Sequence, residues 1–154
     1  MFRLNRLTDY AVVVMSRMIH RGELRSAQQI ARDTGVPMPT VAKVLNVLTR
    51  EGLVTSHRGA AGGYTLSRPA DQITVAQIIQ ALEGPIALAA CVDRADACCE
   101  VEPMCPMRGT WDRVNEAIRS ALDGVTLADM AVAPFRLDEP PTTSIAAHPA
   151  ETAG

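Results

Sequence analysis

The sequence predicts a mainly α-helical fold with one small β-hairpin and a long helix in its second half. Apolar residues recur at spacings of three and four residues in several segments, which is the period of an amphipathic helix. Two short runs rich in β-forming residues flank a glycine-rich turn. Hydrophobic residues make up 47% of the chain and charged residues 21%, so the composition favours a buried core over wholesale disorder.

The first predicted helix extends from about Arg6 to His20, with Thr8 or Asn5 as its N-cap and Gly22 after its end. Its apolar residues share one face because they follow the helical repeat: Leu7, Tyr10, Ala11, Val14, Met15 and Met18.

The second and third predicted helices are joined by a tight turn. Ser26 is a typical N-cap for the octapeptide AQQIARDT, and Gly35 suits the position after its end. After the turn GVPMP, the third helix is predicted from about Thr40 to Arg50, with Gly52 stopping it. Its inward-facing residues are Val41, Val44, Leu45 and Leu48. Two short helices around such a turn form a helix-turn-helix candidate.

The two strand-like runs follow directly as LVTSH and GYTLS, with RGAAGG at the turn between them and Gly63 shared with the second run. A hairpin directly after a helix-turn-helix is the wing of a winged helix. Residues 1–84 are therefore predicted to form a winged helix-turn-helix domain. It includes a fourth helix from about Thr74 to Leu82, which ends at Gly84–Pro85.

Three segments are predicted after this domain. Residues 85–108 lack a clear period and contain the cysteines. Residues 109–131 comprise a long helix to about Leu122 and a short helix, TLADM; an apolar stripe on the long helix consists of Trp111, Val114, Ile118, Ala121 and Leu122. Residues 132–154 are rich in Pro, Ala and Thr and are predicted to be a disordered tail.

The net charge of −2 conceals a division between the two halves. Residues 1–69 contain ten Lys and Arg against four Asp and Glu, whereas residues 70–154 contain five against thirteen. A basic first half is typical of a surface that binds double-stranded DNA, although solvated charges distributed by chance would look the same.

The candidate DNA contacts lie on the third helix and the hairpin. Pro39, Thr40 and Lys43 are at or near the start and outer face of that helix, whose first turns reach base edges in a major groove. On the hairpin, Ser56, His57 and the backbone near Gly59 could hold phosphate, and Arg58 could enter a minor groove. The alternatives are a solvated lysine at position 43 and an ordinary strand-surface histidine at position 57.

All four cysteines lie within the segment CVDRADACCEVEPMCPMR. Clustered cysteines in a protein of the cytosol, where disulfides are rare, indicate metal or redox chemistry. Cys91, Cys98 or Cys99, and Cys105 supply three soft thiolate ligands, which suit an iron–sulfur cluster or zinc. The long spacings favour a cluster over a compact zinc knuckle, and the acidic surroundings argue against buried free cysteines.

These residues bring the chain close to a known family. Over about residues 1–131 it resembles the bacterial winged-helix iron–sulfur transcription regulators that include IscR and NsrR. The matching segments are RLTDYAVVVM, QQIARDTGVPMPTVAKVLNVLTREGLV, RGAAGGYTLSRPADQITVAQIIQALEGP, the cysteine loop and TWDRVNEAIRSALDGVTLADM. The segments LTDYAVVVM, LEGPIAL and VTLADMA are most similar to the branch that regulates SUF iron–sulfur assembly genes.

The resemblance implies a homodimer joined through the long helix and a 2Fe-2S or 4Fe-4S cluster held by Cys91, Cys99 and Cys105, with Cys98 as a spare thiol. Some relatives use a histidine three residues after the last cysteine as fourth ligand, but Arg108 occupies that position and stays protonated. Others recruit an acidic residue from the partner's first helix, which implies Asp9; favourable charge at a helix N-terminus is the alternative role for Asp9. Ala42 replaces a glutamate used by IscR, so IscR's operator preference should not transfer.

The implied function is that of a cytoplasmic, cluster-sensing regulator, expected to repress iron–sulfur assembly genes by binding operator DNA. No signal peptide or membrane-spanning run is apparent. No nucleophile–base pair or cofactor fingerprint predicts an enzyme. The alternatives are a nitric-oxide- or redox-responsive repressor of the same family, and a thiol or iron–sulfur redox protein that does not act on DNA.

Overall fold

The computed structural model describes residues 4–19, 23–88, 92 and 110–131. The helices and strands in chain order are α1 (Arg6–Ser16), α2 (Ala27–Thr34), α3 (Met38–Arg50), β1 (Val54–His57), β2 (Gly63–Leu66), α4 (Val75–Glu83), α5 (Thr110–Asp123) and α6 (Leu127–Ala131). A short 3-10 helix, Ala70–Gln72, precedes α4. The predicted class, mainly helical with a small antiparallel hairpin, is confirmed.

Helix α1 begins where predicted and ends four residues earlier than predicted. The side chain of Asn5 accepts a hydrogen bond from the Leu7 N–H at 2.7 Å and is the N-cap. Thr8, the other predicted cap, lies inside the helix and is fully buried. The N–H of Met18 bonds to the Met15 carbonyl oxygen at 2.9 Å, so the chain tightens into a 3-10 turn after Ser16.

Helix α2 has the limits that its capping residues predict. Ser26 and Gln29 form a reciprocal capping box, and Gly35 ends the helix in the left-handed conformation with φ 71°. Helix α3 begins at Met38, two residues before the predicted Thr40, because Pro39 fits the first turn, where its missing N–H costs nothing. The four predicted inward residues of α3 are fully buried: Val41, Val44, Leu45 and Leu48.

The end of α3 directs the chain into the wing. Gly52 adopts φ 74°, and the N–H groups of Gly52 and Leu53 bond to the carbonyl oxygens of Thr49 and Leu48 at 3.2 and 2.9 Å. This pair of bonds is the Schellman motif, which reverses the chain sharply after a helix. Strand β1 therefore starts directly beside the helix that it follows.

The two strands pair antiparallel, with Val54 opposite Leu66 and His57 opposite Gly63. A third segment joins their edge, since the N–H of Arg25 bonds to the Tyr64 carbonyl at 3.2 Å and the N–H of Tyr64 to the Arg25 carbonyl at 2.9 Å. The wing is thus connected to the residues that lead into α2.

One core lies between α1, α2, α3 and the base of the hairpin. Its fully buried side chains include Met15, Ile30, Leu45, Leu48, Ile73, Ile78 and Leu127. Leu127 belongs to α6, so the last described helix packs into the same core as the first three. Backbone hydrogen bonds of 2.8 Å from Val75 to Val125 and from Leu127 to Ile73 hold it there.

The stripe predicted on the long helix divides between two surfaces. Ile118 and Leu122 are partly buried against a second cluster formed by Val75, Ala76, Ile79 and Ile86. Trp111 and Val114 remain 44% and 41% exposed. Helix α5 therefore packs on α4 through one side and presents an apolar surface on another. None of the described helices has the length and apolar character needed to cross a membrane.

Candidate nucleic-acid interface

The outer face of α3 carries most of the residues predicted to read DNA. Pro39 and Lys43 are exposed and one helical turn apart, while Thr40 is half-buried at the start of the helix. Because the opposite face packs into the core, these residues have a fixed orientation. A rigid helix whose first turn projects from the domain is the element that enters a major groove in helix-turn-helix proteins.

Two exposed residues of the same face were not among the predicted contacts. Met38 became part of the helix because α3 starts earlier than predicted, and it is 40% exposed. Asn46, three residues after Lys43, is exposed on the next turn. An asparagine can pair with adenine in a major groove, and an apolar side chain can contact a thymine methyl group. The three- and four-residue spacing from Pro39 and Lys43 is the signal that could have identified Asn46.

The N-terminus of α3 is open. Its N-cap residue, Pro37, has no side chain that could cap the helix, and the helix has no side-chain cap from the described residues. Pro39 has no N–H and Thr40 donates its N–H to the Pro37 carbonyl at 2.9 Å. Within the described residues, the positive end of the helix dipole and the Met38 N–H are therefore what this helix end could offer to a phosphate oxygen.

The wing presents a polar surface next to this helix. Ser56, His57, Arg58 and Gly59 are all exposed. His57 interacts across the hairpin with the Thr65 hydroxyl, its Nε2 lying 3.0 Å from Oγ1, so the structure favours its role as a strand-surface residue. Arg58 follows β1 directly and occupies the start of the turn.

Glycine is required at three positions of the wing for different physical reasons. Gly59 adopts φ 123°, which residues with a side chain rarely adopt. A Cβ on Gly62 would come within 2.8 Å of the Gly59 carbonyl oxygen, and a Cβ on Gly63 within 2.9 Å of the Arg25 carbonyl oxygen. The glycines of the RG-x-x-GGY pattern are therefore required by a narrow turn and by the close approach of β2 to the segment at Arg25.

Charge pairing leaves the predicted cationic contacts free within the described residues. Arg25 is paired with Asp33 at 2.6 Å and Glu23 at 3.0 Å, and Arg50 with Glu51 at 3.1 Å. For Lys43 and Arg58, the described part of the chain provides no carboxylate within ion-pairing distance. Cations without an internal partner are the ones that can release counterions from DNA phosphates.

The predicted cluster ligands are placed only in part. Cys91, Cys98, Cys99 and Cys105 lie outside the described residues, as do Arg108 and the predicted tail 132–154. Asp9 is exposed on the first turn of α1, beside a shallow depression that also involves Leu4, Asn5 and Arg6. Within the described ranges, no three His, Cys, Asp or Glu side chains come together as a metal site.

The structure does show how the chain is held as it enters the cysteine segment. The buried Asn115 of α5 donates its side-chain N–H to the Ile86 carbonyl at 2.9 Å and accepts the Leu88 N–H at 3.1 Å. One amide thus satisfies two backbone groups that would otherwise be buried without partners. Cys91 follows Leu88 by three residues, so the cysteine segment starts from a point fixed on α5.

Sequence reasoning missed Asn115, although a polar residue between Val114 and Ile118 of an apolar stripe was a visible signal. It also missed Glu83, whose carboxylate accepts the Asn5 N–H at 2.9 Å and the Thr8 hydroxyl at 2.6 Å. This contact joins the end of α4 to the start of α1. Neither partner is close to the other in the sequence, so no local pattern could have predicted the pair.

A helix-turn-helix with an open recognition helix, followed by a polar hairpin, defines a winged-helix DNA-binding protein. Residues 4–133 match the family model described as Rrf2, an iron-dependent transcriptional regulator. The chain belongs to the Rrf2 family and is a DNA-binding transcription regulator.

Individual relatives agree with this assignment. Protein aau3 of Rhizobium meliloti is 33% identical over 132 residues, which are 85% of this chain and 86% of that protein. The structure of CymR, the global cysteine regulator of B. subtilis, matches with a TM-score of 0.66 and 31% identity over 85% of this chain and 97% of that one. IscR of T. potens matches with a TM-score of 0.58 and 30% identity over 84% and 85%.

Proposed function

We propose that this regulator senses iron–sulfur clusters and represses iron–sulfur assembly genes of the SUF type. The observation that carries the proposal is the position of the cysteines. Four cysteines in fifteen residues lie between α4, which packs on the DNA-binding core, and α5. The clamp from Asn115 to Ile86 and Leu88 joins the start of this segment to α5. A change within the segment would therefore be exerted on structured elements.

The donor set fits an iron–sulfur cluster by its chemistry. We propose Cys91, Cys99 and Cys105 as thiolate ligands, with Cys98 not required, because soft thiolates select iron–sulfur clusters or zinc. We propose Asp9 as the fourth ligand, donated to the partner copy. Asp9 is exposed, and no described side chain bonds to it or pairs with its charge, which leaves its carboxylate free to reach another molecule. A 2Fe-2S or 4Fe-4S cluster bound there would supply sensitivity to iron, oxygen or nitric oxide.

For the DNA contacts, we propose that Pro39, Thr40 and Lys43 enter the major groove, with Lys43 on phosphate or guanine. On the wing, Ser56 and the backbone at Gly59 would hold phosphate, and Arg58 would enter the adjacent minor groove. The exposure of all of these except the half-buried Thr40 supports the assignment. So does the absence, within the described residues, of internal ion pairs at Lys43 and Arg58.

We propose that the protein acts as a homodimer joined through α5. Trp111 and Val114, three residues apart on α5, are 44% and 41% exposed, and Val125, just after the end of the helix, is 37% exposed. An exposed apolar helix face with this spacing is covered in stable proteins by another helix. Two copies related by a twofold axis would match two half-sites of a pseudo-palindromic operator.

Two other kinds of regulator, which respond to a different molecule, could have the same DNA-binding domain. A nitric-oxide- or redox-responsive repressor would use the same thiols. A cysteine regulator is suggested by the match to CymR, the global cysteine regulator of B. subtilis. The density of thiols between α4 and α5 favours the cluster-sensing function. A redox protein without a DNA target has little support, since the winged helix would then have no role.

The test is purification without air, followed by visible spectroscopy and analysis of iron, sulfide and zinc. We expect bound iron and sulfide, and altered affinity for DNA upstream of iron–sulfur assembly genes when the cluster is removed. The Cys99→Ser variant should lose the visible absorption, whereas the neighbouring Cys98→Ser variant should keep it. Colourless, iron-free protein that binds the operator normally even after reconstitution would exclude the sensing function and leave DNA binding intact. Zinc in place of iron would indicate a structural site.

The dimer is tested separately by sedimentation. Trp111→Glu places a charge on the exposed apolar surface of α5 and should shift the protein toward the monomer. Ser120→Glu, at an exposed position on the opposite side of the same helix, serves as the control for adding one acidic residue. Unchanged association of both variants would exclude α5 as the interface.

A further inference from the structure

A continuous series of side-chain hydrogen bonds connects the end of the wing to the end of α5. Arg68, two residues after β2, donates from Nη2 to Oε1 of Gln77 at 2.9 Å. The same oxygen accepts the backbone N–H of Thr74 at 3.1 Å. The hydroxyl of Thr74 in turn donates to Oδ1 of Asp123 at 3.1 Å. Asp123 is the last residue of α5.

Helix α5 itself gives only weak support to Asp123. The C-terminal end of a helix carries partial negative charge, so an aspartate there is unfavourable for the helix itself. Its described partners are the Thr74 hydroxyl, 49 residues earlier, and Arg119 at 3.8 Å. The shorter of these two contacts, the 3.1 Å hydrogen bond from Thr74, therefore joins the end of α5 to the N-terminus of α4.

Gln77 likewise has a use beyond its local one. With Thr74 it forms the capping box of α4, which requires only the reciprocal bonds between these two residues. The oxygen that completes the box also receives the guanidinium of Arg68, which comes from the wing. The N-terminus of α4 is consequently the point at which the wing and α5 meet.

The two connections differ in strength. The α5 end is reinforced by backbone bonds of 2.8 Å from Val75 to Val125 and from Leu127 to Ile73. The connection between the wing and α4 has no such backbone bonds among the described residues. There, the side-chain hydrogen bond from Arg68 to Gln77 makes the connection. A shift of α5 would thus move the start of α4, and Arg68 would pass this movement to the wing.

We propose that Arg68, Gln77, Thr74 and Asp123 set the orientation of the wing relative to α5, and that Arg68 and Asp123 are positioning residues for binding to paired half-sites. The inference rests on the proposed function, in which α5 joins two copies and each wing contacts DNA. Two wings must then fit one duplex at the same time, with a separation determined through α5. Binding to a single half-site requires no such agreement.

The experiment compares affinity for a duplex with two half-sites and for a duplex with one. Asp123→Ala removes the acceptor for Thr74, whereas Asp123→Asn keeps an oxygen that can accept the same bond. Asp71→Ala, an exposed aspartate in the 3-10 helix before α4, controls for the loss of a charge. Thermal unfolding of each variant is measured alongside.

We expect Asp123→Ala to bind the paired site about fivefold more weakly, the order expected for loss of one hydrogen bond, and the single half-site less than twofold more weakly. Asp123→Asn and Asp71→Ala should resemble the wild type on both duplexes. Arg68→Met and Asp123→Ala should each weaken binding to the paired site more than binding to the single half-site. Because the two residues act in series, this extra loss of affinity in the double variant should be smaller than the sum of the extra losses in the single variants.

Three results would overturn the inference. Asp123→Ala could bind the paired site as tightly as the wild type, it could lose equal affinity for both duplexes, or Asp123→Asn could bind the paired site as weakly as Asp123→Ala. Failure of the proposed function has a different signature. Wild-type protein would then bind the paired site no more tightly than the single half-site. That result would exclude binding of a dimer to two half-sites before any variant is compared.

Discussion

Replacing Gly63 by alanine should loosen the attachment of the wing to the domain. An ideal Cβ at this position lies 2.9 Å from the carbonyl oxygen of Arg25 and 3.0 Å from its carbonyl carbon. Both are backbone atoms, which cannot rotate away as a flexible side chain can. The substitution must therefore separate the strand edge, where two backbone hydrogen bonds of 3.2 and 2.9 Å join Arg25 to Tyr64.

The magnitude follows from these two bonds. A backbone hydrogen bond contributes about 1 kcal/mol net, so losing both costs roughly 2 kcal/mol, and residual strain could raise this to about 3 kcal/mol. The control is Gly124→Ala. A Cβ there meets its nearest atoms at 3.5 Å, an ordinary contact, and the glycine has no left-handed φ.

The assay is equilibrium unfolding in urea, followed by circular dichroism at equal protein concentrations. We expect Gly63→Ala to unfold at a lower urea concentration and Gly124→Ala to stay within about 0.5 kcal/mol of the wild type. If Gly63→Ala is as stable as the control, the close approach of β2 to Arg25 does not limit this position, and the explanation given for the glycine pair is refuted.

Three further predictions concern the clamp, the wing and the last helix. Asn115→Ala leaves the Ile86 carbonyl and the Leu88 N–H without partners, so thermal unfolding should show a loss of about 1–3 kcal/mol; a loss below about 0.5 kcal/mol would contradict the clamp. Arg58→Ala should weaken binding to all duplexes and reduce the slope of log affinity against log salt by about one, while Arg119→Ala on α5 should leave that slope unchanged. The Thr126 hydroxyl, followed by its backbone N–H, holds the pKa of Asp129 below its ordinary value despite a small opposing effect of burial. A carboxylate whose pKa is lowered in the folded state stabilises the fold at pH values above its pKa in the unfolded chain, which is about 3.9. The stability of the wild type relative to Asp129→Asn should therefore decrease as the pH falls from about 5 through the lowered pKa. An advantage that is constant over this range, measured by thermal unfolding, would show that ionisation of the carboxylate is not the cause.

Elements with strong local signals were predicted closely from the sequence. Helix α2 has the limits implied by Ser26 and Gly35, because the capping box and the left-handed glycine depend on residues within one turn. Both strands were located to within one residue, since the glycines between them permit few alternatives. The end of α1 was wrong because the prediction relied on Gly22, whereas the helix tightens after Ser16.

The relation of distant segments could not be predicted in this way. The pairing of Thr74 with Thr126, the clamp by Asn115 and the contact of Glu83 with Thr8 join residues far apart in the chain. Such contacts depend on how the helices pack, and no spacing in the sequence expresses them. For the same reason the stripe on α5 was recognised, but its division into one side on α4 and another left exposed was not.

The position of Leu127 has a consequence for the order of events during synthesis. This side chain fills the core formed by the first three helices, yet it is translated after the whole cysteine segment. Chains fold from the N-terminus as they are made. The core of the winged-helix domain therefore cannot be completed until α6 has left the ribosome. The four cysteines are consequently all synthesised before the nascent regulator acquires its finished shape.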